Sequence, residues 1–278
     1  MGPDGVSGVQ PSPFLKWAGG KSRLLEQYEP WWPEEFERYH EPFLGGGAVF
    51  FRLRPEEAAL SDVNGRLVDT WRAVRDSLPE VLERLAGHRE RHGRTYFYRA
   101  RQRFNAGRGV SPVERAALMI YLNKTCFNGL YRENGRGEFN VPIGSYRDPR
   151  IFDVGHLRAV SRVLQGVEIR VSGFESVVDR AEAGDLVYFD PPYVPLSATS
   201  AFTGYHASGF GMDLQHRLAR VYAELDRRGC RVMLSNSDVP AVRELYAGWR
   251  IIGIRAGRSI SCKSSRRGSV GEVLVRNW

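Results

Sequence analysis

Long apolar segments, cysteine and lysine are all scarce in this chain of 278 residues. No apolar run approaches the roughly 20 residues that a helix needs to cross a bilayer, so we expect no membrane span. The three cysteines, Cys126, Cys230 and Cys262, are odd in number and widely separated, which fits neither a disulfide framework nor a zinc site. We therefore expect reduced, mainly structural cysteines and no bound metal.

The beginning of the chain lacks a targeting signal. Residues 1–13 are rich in Gly, Pro and Ser, with neither the basic start nor the apolar stretch of a signal peptide. We interpret them as a flexible tail and expect the protein to stay in the cytoplasm.

Arginine supplies nearly all of the positive charge. The net charge is +8, and only four residues are lysines. Residues 89–108 hold seven arginines and one acid, and residues 250–268 hold six basic residues and no acid. Such segments are typical of proteins that bind a polyanion, with nucleic acid the first candidate. An arginine-rich genome would give the same excess, so charge alone leaves both interpretations open.

The ends and the middle of the chain have different patterns. Near both ends, short apolar runs alternate with helical patterns; the apolar runs include those in "YHEPFLGGGAVFFRL", "AALSDVN", "CRVMLS", "WRIIGIR" and "VGEVLVRN". This rhythm predicts a parallel α/β sheet. Residues 78–130 instead indicate helices without strands, and residues 131–147 have the glycines and alternating apolar residues of a hairpin. The sequence therefore predicts an α/β sheet interrupted by a mostly helical insert.

A glycine-rich stretch, "EPFLGGG", follows the first predicted strand. Gly45 and Gly47 let the backbone approach a ligand and leave the N–H groups of the next helix free. Asp62 ends the following strand, where a carboxylate can accept hydrogen bonds from both hydroxyls of a ribose. A nucleoside-containing cofactor is implied, although glycine turns followed by acids also occur without this function.

The stretch "FLKWAGGKS" has part of the pattern of a phosphate-binding loop. Such a loop needs a glycine where this chain has Leu15, so a nucleotide hydrolase is excluded. Because lysine and arginine are not interchangeable at tight polar sites, Lys16 and Lys21 favour a functional role in a chain otherwise rich in arginine. Trp17 is, by residue type alone, more typical of a core.

The stretch "LVYFDPPYVP" is a buried strand that ends in an acid and two prolines. An acid there could cap a helix, and a proline could merely end the strand. Together, however, Pro191 and Pro192 fix the backbone, so that Asp190 and the nearby carbonyls form a rigid set of acceptors beside the ring of Tyr193. Such a set suits an exocyclic amine on a planar ring, either N6 of adenine or N4 of cytosine.

Several motifs together resemble the Dam-type DNA adenine N6-methyltransferases of the D12 class. They are "FLKWAGGK", "EPFLGGGAVF", "SDVN", "NGLYRENGRGEFNVPIGSY", "DPPYVPLSATSAFTGYH" and "RSISCKSSRRGSVGEVLVRN". The resemblance implies a Rossmann-like α/β fold whose seven-stranded sheet is mostly parallel with an antiparallel last strand. It assigns residues 14–70 and 150–278 to a discontinuous catalytic domain and residues 71–149 to a helical and hairpin domain for DNA recognition.

The resemblance also implies S-adenosylmethionine as the methyl donor. The catalytic residues are then Asp190, Pro191, Pro192 and Tyr193. The residues expected near the cofactor are Trp17, Ala18, Gly19, Lys21, Phe43, Gly45, Gly47, Asp62, Val63, Phe174 and Asp190.

Double-stranded DNA is the implied partner, commonly at GATC, with the target adenine flipped out of the helix. The residues expected to contact it are Lys16, Phe127, Asn128, Arg132, Pro142, Tyr146 and Ser197. For Phe127 and Tyr146, packing within the hairpin remains the competing interpretation. The resemblance is further compatible with a cognate restriction endonuclease, and we expect a monomer.

Two other functions remain open on the residues alone. The acceptor set also suits N4-cytosine methylation, and the fold could serve a DNA-binding protein without catalysis. RNA is less favoured as a substrate, because no dedicated RNA-binding module is evident.

Overall fold

The computed structural model describes residues 9–107, 109–194, 210–256 and 270–278. Ser197, Cys262, most of the predicted tail and the whole stretch "RSISCKSSRRGS" lie outside the described residues. Contacts divide the chain into two compact units. The first comprises Met1–Gly20, Gly45–Arg54 and Asn64–Val171, and the second comprises Lys21–Leu44, Pro55–Val63 and Ser172–Trp278. The predicted catalytic and recognition domains divide the chain by function and not by contacts, so their limits stay a prediction.

The described strands form one seven-stranded sheet in the order β3-β2-β1-β4-β5-β7-β6. Their bounds are Tyr39–Glu41 (β1), Ala58–Asp62 (β2), Glu168–Val171 (β3), Leu186–Phe189 (β4), Arg231–Ser237 (β5), Arg250–Ala256 (β6) and Val270–Arg276 (β7). β1 pairs in parallel with β2 and β4, and β4 pairs in parallel with β5. β7 runs antiparallel to both β5 and β6. The predicted mostly parallel sheet with an antiparallel last strand is confirmed.

The middle of the sheet is apolar because parallel strands are covered on both faces. Every residue of β4 is buried, and so are Val232, Leu234, Val273 and Val275 on β5 and β7. In the second unit these side chains pack with those of α8 (Met212–Arg227), such as Leu218 and Leu225. A continuous apolar run such as "LVYF" therefore forms the centre of the sheet.

The remaining helices divide between the two units. Those of the first unit are α2 (Ala48–Leu53), α3 (Gly65–Asp76), α4 (Leu78–Glu90), α5 (Arg94–Ala106), α6 (Pro112–Thr125) and α7 (Val154–Val163). The second unit has α1 (Leu25–Tyr28) and α9 (Pro240–Leu245) besides α8. Side chains of Asn64, Ser111 and Asp153 accept hydrogen bonds from backbone N–H groups in the first turns of α3, α6 and α7, as helix-capping residues do. None of the described helices has the length and apolar content needed to span a bilayer.

The helical part predicted between residues 78 and 130 forms around α6. Residues Ala116–Asn123 of this helix are all buried, and α3, α4 and α5 pack against it. A helix that is apolar on every side is stable only when other helices surround it. Cys126, just after α6, is a free buried cysteine, as is Cys230 in the second unit. Burial raises the pKa of each thiol to about 11, which leaves both unreactive near neutral pH.

The segment predicted as a hairpin, residues 131–147, folds back on itself as a short hairpin. Glu133 and Phe139 form an antiparallel bridge, and backbone N–H groups donate from Asn134 to Glu138 at 2.9 Å and from Asn140 to Arg132 at 3.1 Å. At the turn between them, the side-chain oxygen of Asn134 accepts hydrogen bonds from the backbone N–H groups of Arg136 and Glu138. Asn134 thus satisfies the backbone of the turn in the way that asparagine commonly does.

A buried histidine lies on α4 in the first unit. His88 is 2% exposed, and its Nδ1 lies 2.7 Å from the hydroxyl of Tyr96. Its Nε2 is buried and has no hydrogen-bond partner among the described residues. Burial lowers the pKa of His88 to about 4; nearby Arg91, Arg103 and Arg84 lower it further, while Glu114 opposes the shift. The folded protein therefore holds this ring neutral.

We predict that this histidine makes the fold sensitive to acid. The unfolded chain takes up the proton near pH 6.5 and the folded chain only near pH 4, so the contribution is complete above pH 6.5 and is lost as the pH falls towards 4. At about pH 5, His88 should lower the free energy of unfolding by about 2 kcal/mol relative to about pH 7.5. Urea titrations at both pH values measure this difference. His88→Gln should lose this part of the pH dependence, and His216→Gln, at an exposed site, should keep it. An unchanged dependence in His88→Gln would contradict the assignment.

Candidate active site

The second unit places a charged cluster at the end of β4. β4 is buried along its whole length, and the chain then reaches Asp190, whose side chain is 20% exposed. The carboxyl ends of parallel strands are where open α/β sheets bind ligands. Asp190 is thus held at a fixed position by a buried strand and by the two prolines that follow it.

Lys21 is the first partner of this carboxylate. Its Nζ lies 2.6 Å from Oδ1 and 2.8 Å from Oδ2 of Asp190, and the residue is only 3% exposed. The Nζ also lies 4.7 Å from the centre of the Tyr193 ring. A buried ammonium must be paired, so Lys21 and Asp190 hold each other in place. The sequence predicted a functional role for Lys21 but did not identify Asp190 as its partner.

Ser235 on β5 is the second partner of Asp190. Its Oγ donates a hydrogen bond of 2.9 Å to Oδ1, and it lies 2.9 Å from the hydroxyl of Tyr188. Because the serine proton is used on Asp190, the Tyr188 hydroxyl must donate to Ser235. A carboxylate has about four lone-pair directions, so Asp190 keeps the capacity to accept from a substrate.

A second buried carboxylate, Glu272 on β7, lies behind the first. Its Oε1 accepts a hydrogen bond of 2.9 Å from the hydroxyl of Tyr28 and another from the hydroxyl of Tyr193. The same oxygen lies 3.9 Å from Nζ of Lys21. Burial raises the pKa of Glu272, while Lys21 and the two hydroxyl donors oppose the rise. Burial, Asp190 and Glu272 together hold the pKa of Tyr193 well above its ordinary value, so its hydroxyl keeps its proton.

The backbone after Asp190 is fixed by a chain of amide side chains. Nε2 of Gln215 donates to the carbonyl oxygen of Pro192 at 3.0 Å, and Nδ2 of Asn236 donates to Oε1 of Gln215 at 3.1 Å. Gln215 is 1% exposed and Asn236 is fully buried. The backbone N–H of Val194 donates to Oδ1 of Asn236 at 3.4 Å, and Oγ of Ser237 donates to the carbonyl of Val194 at 2.8 Å. The peptide groups on either side of Tyr193 therefore have set directions.

An aromatic cluster and an exposed valine lie elsewhere in the second unit. Phe43 stacks on Phe174 with ring centres 5.5 Å apart, and Phe210 contacts both rings. Asp62 ends β2, and its carbonyl oxygen accepts a hydrogen bond of 3.2 Å from the backbone N–H of Ser172. Val63, immediately after Asp62, is 73% exposed. A carboxylate beside an exposed apolar side chain suits a ligand with a ribose and a flat base.

The first unit holds the other residues that were predicted near the cofactor. Gly45 has a left-handed backbone with φ of +46°, and an added Cβ would lie 2.7 Å from Cδ1 of Trp17. Trp17 is half-buried and stacks on Tyr131 with ring centres 5.4 Å apart, so it is not a core residue. Ala18 and Gly19 are exposed, and Gly47, also left-handed, precedes the first turn of α2. The structure brings Trp17 and Gly45 into contact, and only glycine fits there.

The residues predicted to contact DNA lie together in the first unit, apart from Ser197. Nζ of Lys16 lies 3.2 Å from the hydroxyl of Tyr146 and 4.4 Å from the centre of its ring. Phe127 is 50% exposed and Tyr146 is 39% exposed, and the ring of Tyr146 also packs against Gly144. The backbone N–H of Phe127 donates to the carbonyl of Pro142, and Nε of Arg132 donates to Oδ1 of Asn140 at 2.7 Å. Asn128 has a left-handed backbone with φ of +53°.

Sequence reasoning missed the residues that support Asp190 and Tyr193. They are Tyr28, Gln215, Ser235, Asn236 and Glu272. For Glu272 a signal was present, since an acid stands among apolar residues in "VGEVLVRN". The other four have no comparable signal, because each pairs with a residue far away in the chain.

The fold and these residues agree with the class of α/β methyltransferases that the sequence motifs resemble. Residues 17–260 match the family model described as D12 class N6 adenine-specific DNA methyltransferase, and the chain belongs to that family. Among the residues that the structure describes, no group of three or more His, Cys, Asp or Glu side chains could hold a metal ion.

Named relatives are similar over nearly their whole length. The Type II methyltransferase M1.LlaDCHI of Lactococcus lactis subsp. cremoris is 43% identical over 96% of this chain and 95% of its own. The Type II methyltransferase M.MjaIII of Methanocaldococcus jannaschii is 41% identical over 97% of this chain and 100% of its own. The DNA adenine methylase of Escherichia coli is 36% identical over 94% of each chain. A solved precorrin 8W decarboxylase from Methanobacterium thermoautotrophicum covers 97% of this chain and 100% of its own at 8% identity and a TM-score of 0.37, a likeness too slight to support an argument.

The close fit between Gly129 and Lys16 gives a test of the predicted DNA-contacting surface. Gly129 has φ of +64°, and an added Cβ would lie 2.2 Å from Cδ of Lys16, whose backbone N–H is fixed by Oδ1 of Asn123 at 2.8 Å. Gly129→Ala should therefore lower the free energy of unfolding by about 1–3 kcal/mol. Gly166→Ala, at φ of +78° with no atom within 4 Å of the added Cβ, is the matched control: it has the same kind of backbone strain without the close contact and should lower the free energy of unfolding less. Equal urea midpoints for the two variants would contradict the close contact between Gly129 and Lys16.

Proposed function

We propose that this chain transfers a methyl group from S-adenosylmethionine to N6 of an adenine flipped out of duplex DNA, within the sequence GATC. The observation that carries the proposal is Asp190, held at the tip of a buried strand by Lys21 and Ser235 and followed by two prolines and an aromatic ring. Family membership supports the choice of N6 of adenine over N4 of cytosine. The DNA adenine methylases among the relatives favour GATC.

The residues present fit S-adenosylmethionine. In the second unit, Asp62 suits the ribose hydroxyls, and the exposed Val63 offers apolar surface to an adenine. Phe43 and Phe174 contribute an aromatic surface. In the first unit, Gly45 and Trp17 leave no room for a side chain at position 45. We assign the cofactor to these residues together with Ala18, Gly19, Lys21, Gly47 and Asp190. When bound, S-adenosylmethionine supplies a methyl group on a positively charged sulfur.

The chain's own residues then prepare the amine. Asp190 and the carbonyl of Pro191 accept hydrogen bonds from the two N–H groups of N6, which favours a more tetrahedral and more nucleophilic nitrogen. Tyr193 stacks on the flipped base. As the N–C bond forms, the bond between the methyl carbon and sulfur breaks and sulfur leaves as a neutral thioether. Positive charge thereby appears on nitrogen beside the fixed carboxylate, which stabilises it. The surplus proton passes from nitrogen to Asp190 and then to water after attack, because a neutral amine is too weak an acid for Asp190 to deprotonate first.

Recognition of the target belongs to the first unit in this proposal. Arg132 can form a bidentate contact with guanine, and Tyr146 and Phe127 can occupy the space left by the flipped base. Lys16, Asn128 and Pro142 complete the assigned surface, and Ser197 remains assigned by resemblance alone. We further propose that the protein acts as a monomer in the cytoplasm. The Type II names of two relatives support a restriction endonuclease as a cognate partner.

We predict that Asp190→Ala will abolish turnover and leave DNA affinity nearly unchanged. Loss of the acceptor that stabilises the developing charge should lower kcat on the order of a hundredfold to a thousandfold. The measurement is transfer of a labelled methyl group to a mixed-sequence duplex, followed by digestion to nucleosides and by a binding titration. Asp179→Ala, at an exposed acid, is the control. Label in N4-methylcytosine would support the alternative substrate, and an inactive parent that binds DNA would support a DNA-binding protein without catalysis.

Arg132→Ala is predicted to relax sequence preference. Loss of one bidentate contact should reduce discrimination at one base pair by about 1–3 kcal/mol. Competition between the preferred duplex and single-base variants measures this difference. Arg136→Ala, an exposed arginine of the same segment, should leave discrimination unchanged. Equal discrimination in Arg132→Ala and the parent would exclude this arginine as a base-reading residue.

A further inference from the structure

Glu272 is a buried acid on an interior strand of the sheet, and its presence there needs a reason. It is 5% exposed on β7, between β5 and β6, where the neighbouring Val273, Leu274 and Val275 are fully buried. A buried carboxylate costs stability unless it is paired, and an apolar residue would pack at this position without that cost. Its retention at this place therefore suggests a task that an apolar side chain cannot perform.

The contacts of Glu272 converge on Tyr193, which stacks on the base in the proposed mechanism, and on Lys21, which holds Asp190. Oε1 of Glu272 accepts from the hydroxyl of Tyr193, and it lies 3.9 Å from Nζ of Lys21. Nζ of Lys21 is closer to Asp190, at 2.6 Å, so Lys21 is shared but belongs mainly to Asp190. Tyr28 donates to the same Oε1 at 2.9 Å and holds Glu272 from the other side.

Tyr193 needs such an anchor. The Gln215 contact fixes the carbonyl of Pro192 and the Ser237 contact fixes the carbonyl of Val194, but neither involves the ring. The ring can turn about two side-chain torsions. Nζ of Lys21 contacts the face of the ring, 4.7 Å from its centre, so its orientation also depends on a contact at its far end. The hydroxyl bound to Glu272 is that contact.

We propose that Glu272 is a positioning residue that holds the Tyr193 ring, through its hydroxyl, in the orientation needed to stack on the substrate base. The inference rests on the proposed function. Glu272 itself does not touch the substrate, and its effect on the reaction passes through Tyr193. A misplaced ring no longer holds the substrate base, so the amine moves out of line with the methyl carbon. This lowers kcat more than it weakens binding.

The test is a double-mutant cycle with Glu272→Leu and Tyr193→Phe. Each single variant should lower kcat about tenfold to a hundredfold, with KM for cofactor and DNA changed much less. The double variant should be no worse than the worse single variant, because both remove the same contact. Glu272→Gln keeps an acceptor oxygen and should recover most of the activity. Additive losses, or Gln as inactive as Leu, would overturn the proposal.

Two controls separate positioning from general damage. Asp185→Asn changes another buried carboxylate, at the opposite end of β4, and should lower the urea midpoint while leaving kcat unchanged. If Glu272→Leu does not fold, Tyr193→Phe and Glu272→Gln decide alone: a Tyr193→Phe variant with parental kcat would overturn the proposal.

A readout without turnover keeps the inference apart from the proposed function. In protein labelled with fluorotyrosine, the fluorine NMR signal of Tyr193, identified by its loss in Tyr193→Phe, should shift and change in width in Glu272→Leu and stay near its parental position in Glu272→Gln. An unchanged signal in Glu272→Leu would overturn the anchoring. A parent that shows the expected shifts but transfers no methyl group would refute the proposed function instead.

Discussion

The ion pair between Lys21 and Asp190 is the constraint on which the second unit's site depends. Both charges lie mostly out of water, so neither is stable there without the other. The pair links a residue that follows the glycines of "KWAGGK" to the tip of β4, 169 positions later. Once this link is made, Ser235 and Glu272 find their partners within the same small volume. The cluster therefore combines one ammonium, two carboxylates and the hydroxyl groups of four residues, Tyr28, Tyr188, Tyr193 and Ser235.

Hydrogen bonding also sets how rigid the site is. Tyr188 donates to Ser235, which donates to Asp190, so a buried side chain of β4 determines the orientation of the carboxylate at the end of the same strand. Gln215 and Asn236 form a second chain that ends on the carbonyl of Pro192. Preorganised acceptors of this kind need no rearrangement when charge develops near them, which is the main physical advantage of an enzyme over water.

Local sequence determined part of this arrangement and could not determine the rest. The positions of β4, Asp190, Gly45 and Asp62 follow from patterns within about ten residues, such as an apolar run that ends in an acid. The hairpin predicted within residues 131–147 is likewise determined locally, because Asn134 satisfies the backbone N–H groups of the turn that its own segment forms. The partners of Asp190 lie on other elements, and a single sequence contains no information on which distant residues meet. Trp17 shows the same limit, since its type suggests a core while its neighbours Gly45 and Tyr131 leave it half-buried.

The place of β7 in the sheet has a consequence for the order in which the protein assembles during synthesis. β7 follows β6 in the chain, yet it lies between β5 and β6 and runs against both. Until β7 has left the ribosome, β5 has one open edge and β6 has no neighbour at all, and open edges invite pairing with other chains. The same late strand carries Glu272, which contacts Tyr28. The contact between the first and the last parts of the second unit therefore cannot form until β7 has been synthesised. A nascent chain of this fold should depend on chaperones for longer than one whose strands pair in the order they are made.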